Sequence, residues 1–408
     1  MPTTTKKQAA GDSLSVYWGE FLVSPIPLEL SFNYCSHKCA YCFANLNSPN
    51  RWADVKKTMR LLSDYQQRET LEAKLLQQGY PVLISNRVDP FAASNYQQAL
   101  PVMAALNEMG IQMCIQTKGG KGVDEVLQWL PPSVWYVSIS FTDDALRKKI
   151  EPGAPSIDER LWLIETLKAK GHRVVAGVNP CVPEWLPDSD TLLTWLVERD
   201  VEGAWMEHLH MNREQEANLS GREREAMTSA VIESALKRSP SERTMAKLKL
   251  AELQARDKGL EVFSIGQPTA SEFFKPYREI YRKTFPTIQD FVNVCWSIGE
   301  TEKLIPFEAF EAKMLSSLPI GTLNIGHYLG ATAHNIFENA KLSNWMTFRQ
   351  LLGIVWQDYR AKQNPARIPC FAFAAERDED NEWVELQDDN GLPYLKFSPH
   401  GFTDYYSN

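Results

Sequence analysis

The stretch Cys35-Ser36-His37-Lys38-Cys39-Ala40-Tyr41-Cys42 follows directly on the apolar run Leu28-Glu29-Leu30-Ser31-Phe32. It is a C-x3-C-x2-C cluster placed just after a strand-like segment. Three thiolates this close together can hold three irons of a [4Fe–4S] cluster. The fourth iron then lacks a protein ligand, and an open coordination position is what chemistry requires. Zinc and disulfide chemistry are the alternatives. A structural zinc site wants four ligands, usually as two spaced pairs, and His37 is the one nearby candidate for a fourth. The remaining cysteines (Cys114, Cys181, Cys295 and Cys370) are scattered singly and supply no second pair.

Composition sets the frame around this cluster. The chain has 408 residues, 44% hydrophobic and 23% charged, which suffices for one large domain plus an appendage. No apolar run approaches the length of a membrane span, and the beginning of the chain reads as lacking a signal segment. Seven cysteines, an odd number with three clustered, point to a reducing, cytoplasmic compartment. The net charge of −8 argues against a broad phosphate-tracking surface, though not against a local basic groove.

From Leu28 onward, short apolar runs alternate with helical patterns. The strand candidates are Leu28–Asn33, Val82–Val88, Met113–Thr117, Trp135–Phe141, Arg173–Asn179, Ala204–His208 and Glu261–Ile265. Near-continuous apolarity suits parallel strands buried on both faces. Helices are expected near Asp64–Gln78 and Ile157–Ala169, the second opened by a Ser156/Glu159 capping box after Pro155. Such alternation predicts a right-handed parallel α/β array, either an eight-stranded barrel or an open sheet. Residues 1–27 read as a leader and entry strand. Residues 28–266 read as the array, and 211–258 within it as a charged insertion of two helices around Ser239-Pro240-Ser241. That insertion is either a solvated face or a lid. Residues 267–408 read as a mostly helical extension. It includes an amphipathic helix over Thr347–Lys362, then strands Phe371–Ala375, Glu382–Gln387 and Tyr394–Phe397 with an Asn390-Gly391 turn. A helix followed by a hairpin suits a small winged module.

Several ordered motifs carry a family resemblance over roughly residues 28 to 190. They are Cys35-Ser36-His37-Lys38-Cys39-Ala40-Tyr41-Cys42-Phe43-Ala44, Arg87-Val88-Asp89-Pro90, Gln116-Thr117-Lys118 and Ser138-Ile139-Ser140. The run from Leu146 through Glu151-Pro152-Gly153-Ala154-Pro155-Ser156 to Arg160-Leu161, and Val178-Asn179-Pro180-Cys181-Val182-Pro183, continue the series. Together they resemble the spore photoproduct lyase-like branch of the radical S-adenosylmethionine (SAM) enzymes. The resemblance implies a partial, six-stranded (β/α)6 TIM-like barrel. It implies a [4Fe–4S] cluster on Cys35, Cys39 and Cys42, SAM bound at the open iron, and hydrogen abstraction by a 5′-deoxyadenosyl radical. It further implies SAM contacts by Lys118 and Ser138, an electron donor such as flavodoxin or ferredoxin, and a nucleobase substrate, a modified pyrimidine in DNA. Where the lyase carries its hydrogen-donating cysteine this chain has Asn86, and where it has a second tyrosine after the cluster this chain has Phe43. Tyr41 matches. The resemblance therefore does not extend to the lyase's own dimer-repair step. The open alternatives are a small-molecule or peptide substrate, or a metal-bearing nucleic-acid binder without radical chemistry.

In a parallel array, function collects at the carboxyl ends of strands. Ser85, Asn86, Arg87 and Asp89 follow the second candidate strand and are candidate SAM contacts, the alternative being a turn fixed by Asp-Pro. Lys118 ends the third strand and suits a carboxylate. Ser138 and Ser140 share one face of the fourth and can reach a ribose or satisfy a neighbouring backbone. Asn179 and Cys181 end the fifth, Cys181 being a candidate replacement hydrogen donor. Alternation puts His208 and His210 on one face of the sixth strand and Glu207 on the other. The histidines could bind substrate, shuttle protons or hold a second metal.

Overall fold

The structure is a computed structural model of the 408-residue chain. It describes residues 14–16, 25–26, 28–30, 32, 34–42, 55–69, 71–85, 88–237, 242–263, 273–285, 297–298, 303–317, 370–381 and 383–398. The expected helix over Thr347–Lys362, the Ser239-Pro240-Ser241 break, Asn86, Arg87 and Phe43 lie outside the described residues. The chain divides into two compact units. One comprises 1–14, 29–64 and 79–283, and the other 15–28, 65–78 and 284–408.

The first unit is built on strands that lie side by side in chain order. They are β2 (Leu28–Leu30), β3 (Val82–Ile84), β4 (Met113–Thr117), β5 (Val134–Ser138), β6 (Arg173–Val178), β7 (Gly203–Met206) and β8 (Val262–Phe263). They belong to an eight-stranded sheet whose first member is β1 (Leu14–Val16). Every pair from β3 to β8 is parallel, with Val82 opposite Met113, Ile115 opposite Trp135 and Val175 opposite Gly203. Helices fill the connections, including Tyr96–Glu108, Ile157–Ala169 and Ser189–Glu198. This is the α/β architecture of a partial TIM-like barrel. The strands are buried almost throughout because helices cover them, Gln116 and Arg173 being the half-buried members; Val82, Ile115, Val134, Val137 and Val174 are fully inaccessible. Trp135 stacks on Phe91 at 6.0 Å, and Trp205 packs on Phe273 at 4.9 Å.

The strands are shorter than their apolar runs. Leu28–Asn33 yields a strand only to Leu30, and Val82–Val88 only to Ile84. Past those points the sequence turns mostly polar, Ser31-Phe32-Asn33 and Ser85-Asn86-Arg87-Val88, and the described members Phe32, Ser85 and Val88 are buried in the loops at the carboxyl edge. The helix Ile157–Ala169 and its Ser156/Glu159 capping box occur as expected. The expected helix over Asp64–Gln78 is instead Val55–Asp64, a 3-10 turn at Tyr65–Gln67 and a helix at Leu71–Gln77.

The 211–258 insertion differs more. Its described residues hold four helices, Arg213–Asn218, Gly221–Met227, Ser229–Ala235 and Glu242–Asp257, where two were expected. Capping boxes at Asn212/Gln215 and Ser220/Glu223 start new helices. Thr228, at a φ of 65°, breaks the run between the second and third.

The amino edge of the sheet is tied by a later helix, Lys275–Tyr281. The Tyr281 hydroxyl donates to the Met113 carbonyl at 2.7 Å and accepts from the Val134 amide at 2.9 Å.

In the second unit, β9 (Leu304–Pro306) leads into the helix Phe307–Ser317. A three-stranded antiparallel sheet of order β10-β13-β9 joins Cys370–Phe373, Tyr394–Ser398 and β9, and β11 (Ala375–Arg377) pairs with β12 (Trp383–Glu385). Gly391, at a φ of 74°, serves the turn expected at Asn390-Gly391.

Candidate active site

The cysteine loop leaves β2 and is fastened from three sides. The Ser36 and Ser94 hydroxyls each accept the other's backbone amide at 3.1 Å. The Ala40 amide donates to the Ile150 carbonyl at 2.8 Å, and the Gly153 amide to the His37 carbonyl at 2.9 Å. His37 Nδ1 donates to the Gly153 carbonyl at 2.9 Å. A Cβ on Gly153 would lie 2.2 Å from the Ser36 carbonyl oxygen. Glycine is therefore what lets the turn after Ile150 serve as a floor for the cysteines. That turn is itself held by Arg147, whose Nη1 donates to the carbonyls of Glu151 and Ala154 at 3.0 and 2.7 Å.

One buried charge network underlies the loop. Glu151 has no exposed side-chain surface, and its carboxylate accepts from the Tyr41 hydroxyl and from Arg160 Nη2. Lys118 Nζ lies 3.4 Å from Glu151 Oε1, donates to Ser138 Oγ at 2.6 Å, and sits 5.9 Å above the Tyr41 ring. Burial pushes the Glu151 carboxyl up, but Arg160, Lys118 and Tyr41 together hold it down at about 2. Burial pulls the Lys118 ammonium down, but Glu151 and Cys39 raise it above its ordinary value. Lys118 is thus a fixed cation at the end of β4. Burial likewise drives the Tyr41 phenol well above its ordinary value.

A second knot forms around Asp89. Its Oδ1 accepts from the Thr117 hydroxyl at 2.8 Å and the Phe91 amide at 2.9 Å, and its Oδ2 from the Lys118 amide at 2.6 Å. His37 Nε2 stands 3.1 Å from Oδ2. Burial raises the Asp89 carboxyl, but His37 and these donors outweigh it and leave it lowered. Asp89, expected at a SAM contact, spends its carboxylate on joining the cysteine loop to the end of β4. Ser85, with a φ of 64°, turns its hydroxyl on the Val88 carbonyl and receives the Val88 amide at 3.1 Å, closing its own turn.

Ser138 meets Lys118 directly, whereas the Ser140 hydroxyl is fully buried without a hydrogen-bond partner among the described residues. Asn179 faces the Tyr136 hydroxyl. Cys181 donates its amide to the Glu207 carbonyl at 2.6 Å, and burial pushes its thiol up to about 12. The aromatic rings of Phe141, Trp185 and Tyr41 pack in series, at 4.9 and 5.7 Å.

The expectation for Glu207 is corrected. Glu207, His208 and His210 converge, one donor atom from each lying within 4.8 Å of the others. Alternation fails because β7 stops at Met206, and residues beyond a strand's end do not keep its two-residue period. Burial, then His208, lowers the His210 imidazole, with Glu207 opposing.

Sequence reasoning missed Glu151 and Arg160 as site residues, although both lie inside the quoted motif. Their spacing of nine gives no sign that they meet. The signal was the acidic residue in an otherwise basic helix end, Arg147-Lys148-Lys149-Ile150-Glu151, beneath three expected metal ligands.

The three cysteines fit an iron–sulfur group. None is in a disulfide. Burial pushes Cys35 up to about 12 and Cys39 well above its usual value, and the neighbouring Cys42 adds to both. Ionised sulfurs there need a cationic partner, which bound iron supplies.

Residues 30–194 match the Radical SAM superfamily model. Members of that superfamily are enzymes that use SAM and an iron–sulfur cluster. An uncharacterized protein of Mycobacterium tuberculosis is 27% identical over 194 residues, covering 43% of this chain and 56% of that protein. The chain thus spans about half the length of the curated relatives it matches. Among solved structures, Streptococcus suis SuiB bound to S-adenosylmethionine is similar with a TM-score of 0.40 and 14% identity, over 61% of this chain and 53% of that one. A spore photoproduct lyase mutant with bound AdoMet and dinucleoside spore photoproduct gives 0.39 and 12%, over 56% and 72%. Among the described residues, no helix is long and apolar enough to cross a membrane.

Proposed function

We propose that this chain is a radical SAM enzyme whose [4Fe–4S] cluster is held by Cys35, Cys39 and Cys42. The observation that carries this reading is the fixed Lys118 ammonium beside the cysteine loop, aimed by Glu151 and Ser138. With SAM bound, such a cluster supplies a 5′-deoxyadenosyl radical that takes hydrogen from carbon. The chain's residues do the rest. Lys118 offers a charge-assisted bond to the SAM carboxylate, and Ser138, Ser140 and Asn179 offer hydroxyl and amide partners to its ribose. Asn86 and Arg87 complete the SAM contacts from the loop after β3. Asp89 and Ser85 position that loop, and Glu151 positions Lys118. Phe141 and Trp185 screen the site from water, while Cys181 retains a protonated thiol at the end of β6 as a hydrogen source.

The test is anaerobic reconstitution with iron and sulfide, followed by SAM and dithionite. Release of 5′-deoxyadenosine is expected, and its loss in Cys35→Ala. Lys118→Met should weaken SAM binding about 10- to 100-fold, the worth of a hydrogen bond to a charged group. A colourless, zinc-saturated protein would end the reading.

For the substrate we take a nucleobase, a modified pyrimidine in DNA, acted on in the cytoplasm with flavodoxin or ferredoxin as reductant. The ordered motifs between residues 28 and 190 support it. Deuterium passing from a labelled pyrimidine into 5′-deoxyadenosine is the expected result. Transfer from a peptide or small molecule instead would replace it.

A further inference from the structure

We propose that Glu207, His208 and His210 bind a divalent transition-metal ion through nitrogen and oxygen donors, at a site separate from the cysteine loop. One donor atom from each residue lies within 4.8 Å of the other two. His208 Nδ1 and Glu207 Oε1 are 3.5 Å apart. Two donors each about 2.1 Å from one tetrahedral metal stand roughly 3.4 Å apart, so this edge needs almost no adjustment.

The loop is held for the task. The Glu207 carbonyl accepts the Cys181 amide at 2.6 Å, and the Met211 amide donates to the Ala235 carbonyl at 2.9 Å, so both ends of the 207–211 stretch are pinned. The two imidazole rings are 3.8 Å apart at 57°. Two imidazolium ions at that separation would repel, whereas two neutral rings and a carboxylate around one cation attract it. His208 Nε2 is buried without a hydrogen-bond partner among the described residues, so Nδ1 is the nitrogen turned toward Glu207. The plain alternative is a Glu–His ion pair with a stacked second ring. A metal on Nδ1 leaves the Nε2–H outside the coordination, so the two readings are told apart by metal uptake and not by this nitrogen.

One side of the cluster is open. A small cavity of about 30 Å³ is lined by His208 together with Cys181, Glu184, Ser234 and Thr244. Three protein ligands with a free position are the pattern of a working metal rather than a structural one. Two histidines and a carboxylate suit Fe²⁺, Mn²⁺ or Zn²⁺. The residues follow β7, at the same carboxyl edge as Lys118, and the cavity beside His208 has room for a water-sized oxygen ligand on the ion.

Cobalt(II) is the probe. The full chain carrying Cys35→Ser, Cys39→Ser and Cys42→Ser is dialysed against Co²⁺, which removes the thiol site from competition. Uptake of about one ion is expected, with weak ligand-field bands and no intense thiolate charge-transfer band. Combining His208→Ala with His210→Ala should weaken uptake more than about 100-fold, beyond what losing an outer partner costs. Glu207→Gln, which keeps the side-chain shape, should weaken it about tenfold or more, with circular dichroism unchanged. No uptake at millimolar Co²⁺, or equal uptake by the histidine variant, overturns the site. The proposed radical chemistry is tested on the unsubstituted cysteines, so either reading can fail without the other.

Discussion

Glu151 and Lys118 meet at 3.4 Å with the carboxylate fully buried and Arg160 on its other oxygen. The pair converts a glutamate in a loop into the anchor of an aimed cation. Removing one member of a buried pair costs about 3–5 kcal/mol, because the other charges lose their partner. Glu151→Gln should lower the denaturant midpoint accordingly. The pH dependence has a defined sign. The folded carboxyl sits near 2, below about 4.3 for an unfolded glutamate. Its stabilisation is therefore fully present above about pH 4.3 and is lost as the pH falls toward 2. Unfolding titrations across that window should show a shallower acid slope in Glu151→Gln, while Asp89, Asp144, Glu159 and Asp188, also lowered, continue to contribute.

Gly153 is the contact surface for the cysteine loop. A methyl group there would stand 2.2 Å from the Ser36 carbonyl oxygen and 3.0 Å from the His37 Cα. Both are backbone positions, so the loop has to move. Gly153→Ala should cost about 1–3 kcal/mol as overpacking. It should also reduce iron bound after anaerobic reconstitution, measured as iron and sulfide per chain, while the far-ultraviolet dichroism of the barrel stays intact.

The strand–helix alternation and the Ser156/Glu159 capping box were readable because they depend on neighbours within a few residues. The cysteine loop was readable for the same reason. Glu151 was not, since its role comes from Tyr41, Lys118 and Arg160, which lie 110, 33 and 9 residues away in sequence. Glu207 was misread because a two-residue period was carried past Met206, where pairing ends. Asp89 shows a third limit. Its residue type suits a ligand, but only the fold reveals that Thr117, Phe91 and Lys118 already occupy its oxygens.

The Tyr281 hydroxyl serves two strands at once, accepting from Val134 and donating to Met113. Tyr281→Phe keeps the ring in its packing against Tyr277 but leaves a buried amide and carbonyl unpaired. The expected loss is about 1–3 kcal/mol. Hydrogen exchange at the Val134 amide should accelerate more than at its strand neighbours, which separates this local effect from general loosening.

Gln215 of the charged insertion reaches the cysteine loop. Gln215 Nε2 donates to the Tyr41 carbonyl at 2.8 Å, while its Oε1 accepts the Asn212 amide at 2.8 Å and caps its own helix. Gln215→Glu separates the two jobs. The carboxylate still accepts from Asn212, so the helix survives, but an acceptor now faces the Tyr41 carbonyl. Two acceptors in contact repel, and the buried carbonyl loses its donor at a cost of about 1–3 kcal/mol. If the insertion steadies the loop that carries Cys39 and Cys42, Gln215→Glu should speed loss of iron to a chelator by about tenfold with unfolding of the helix undetected. An unchanged rate of iron loss would mean that the contacts to Ser94, Asp89, Ile150, Glu151 and Gly153 hold the loop without Gln215.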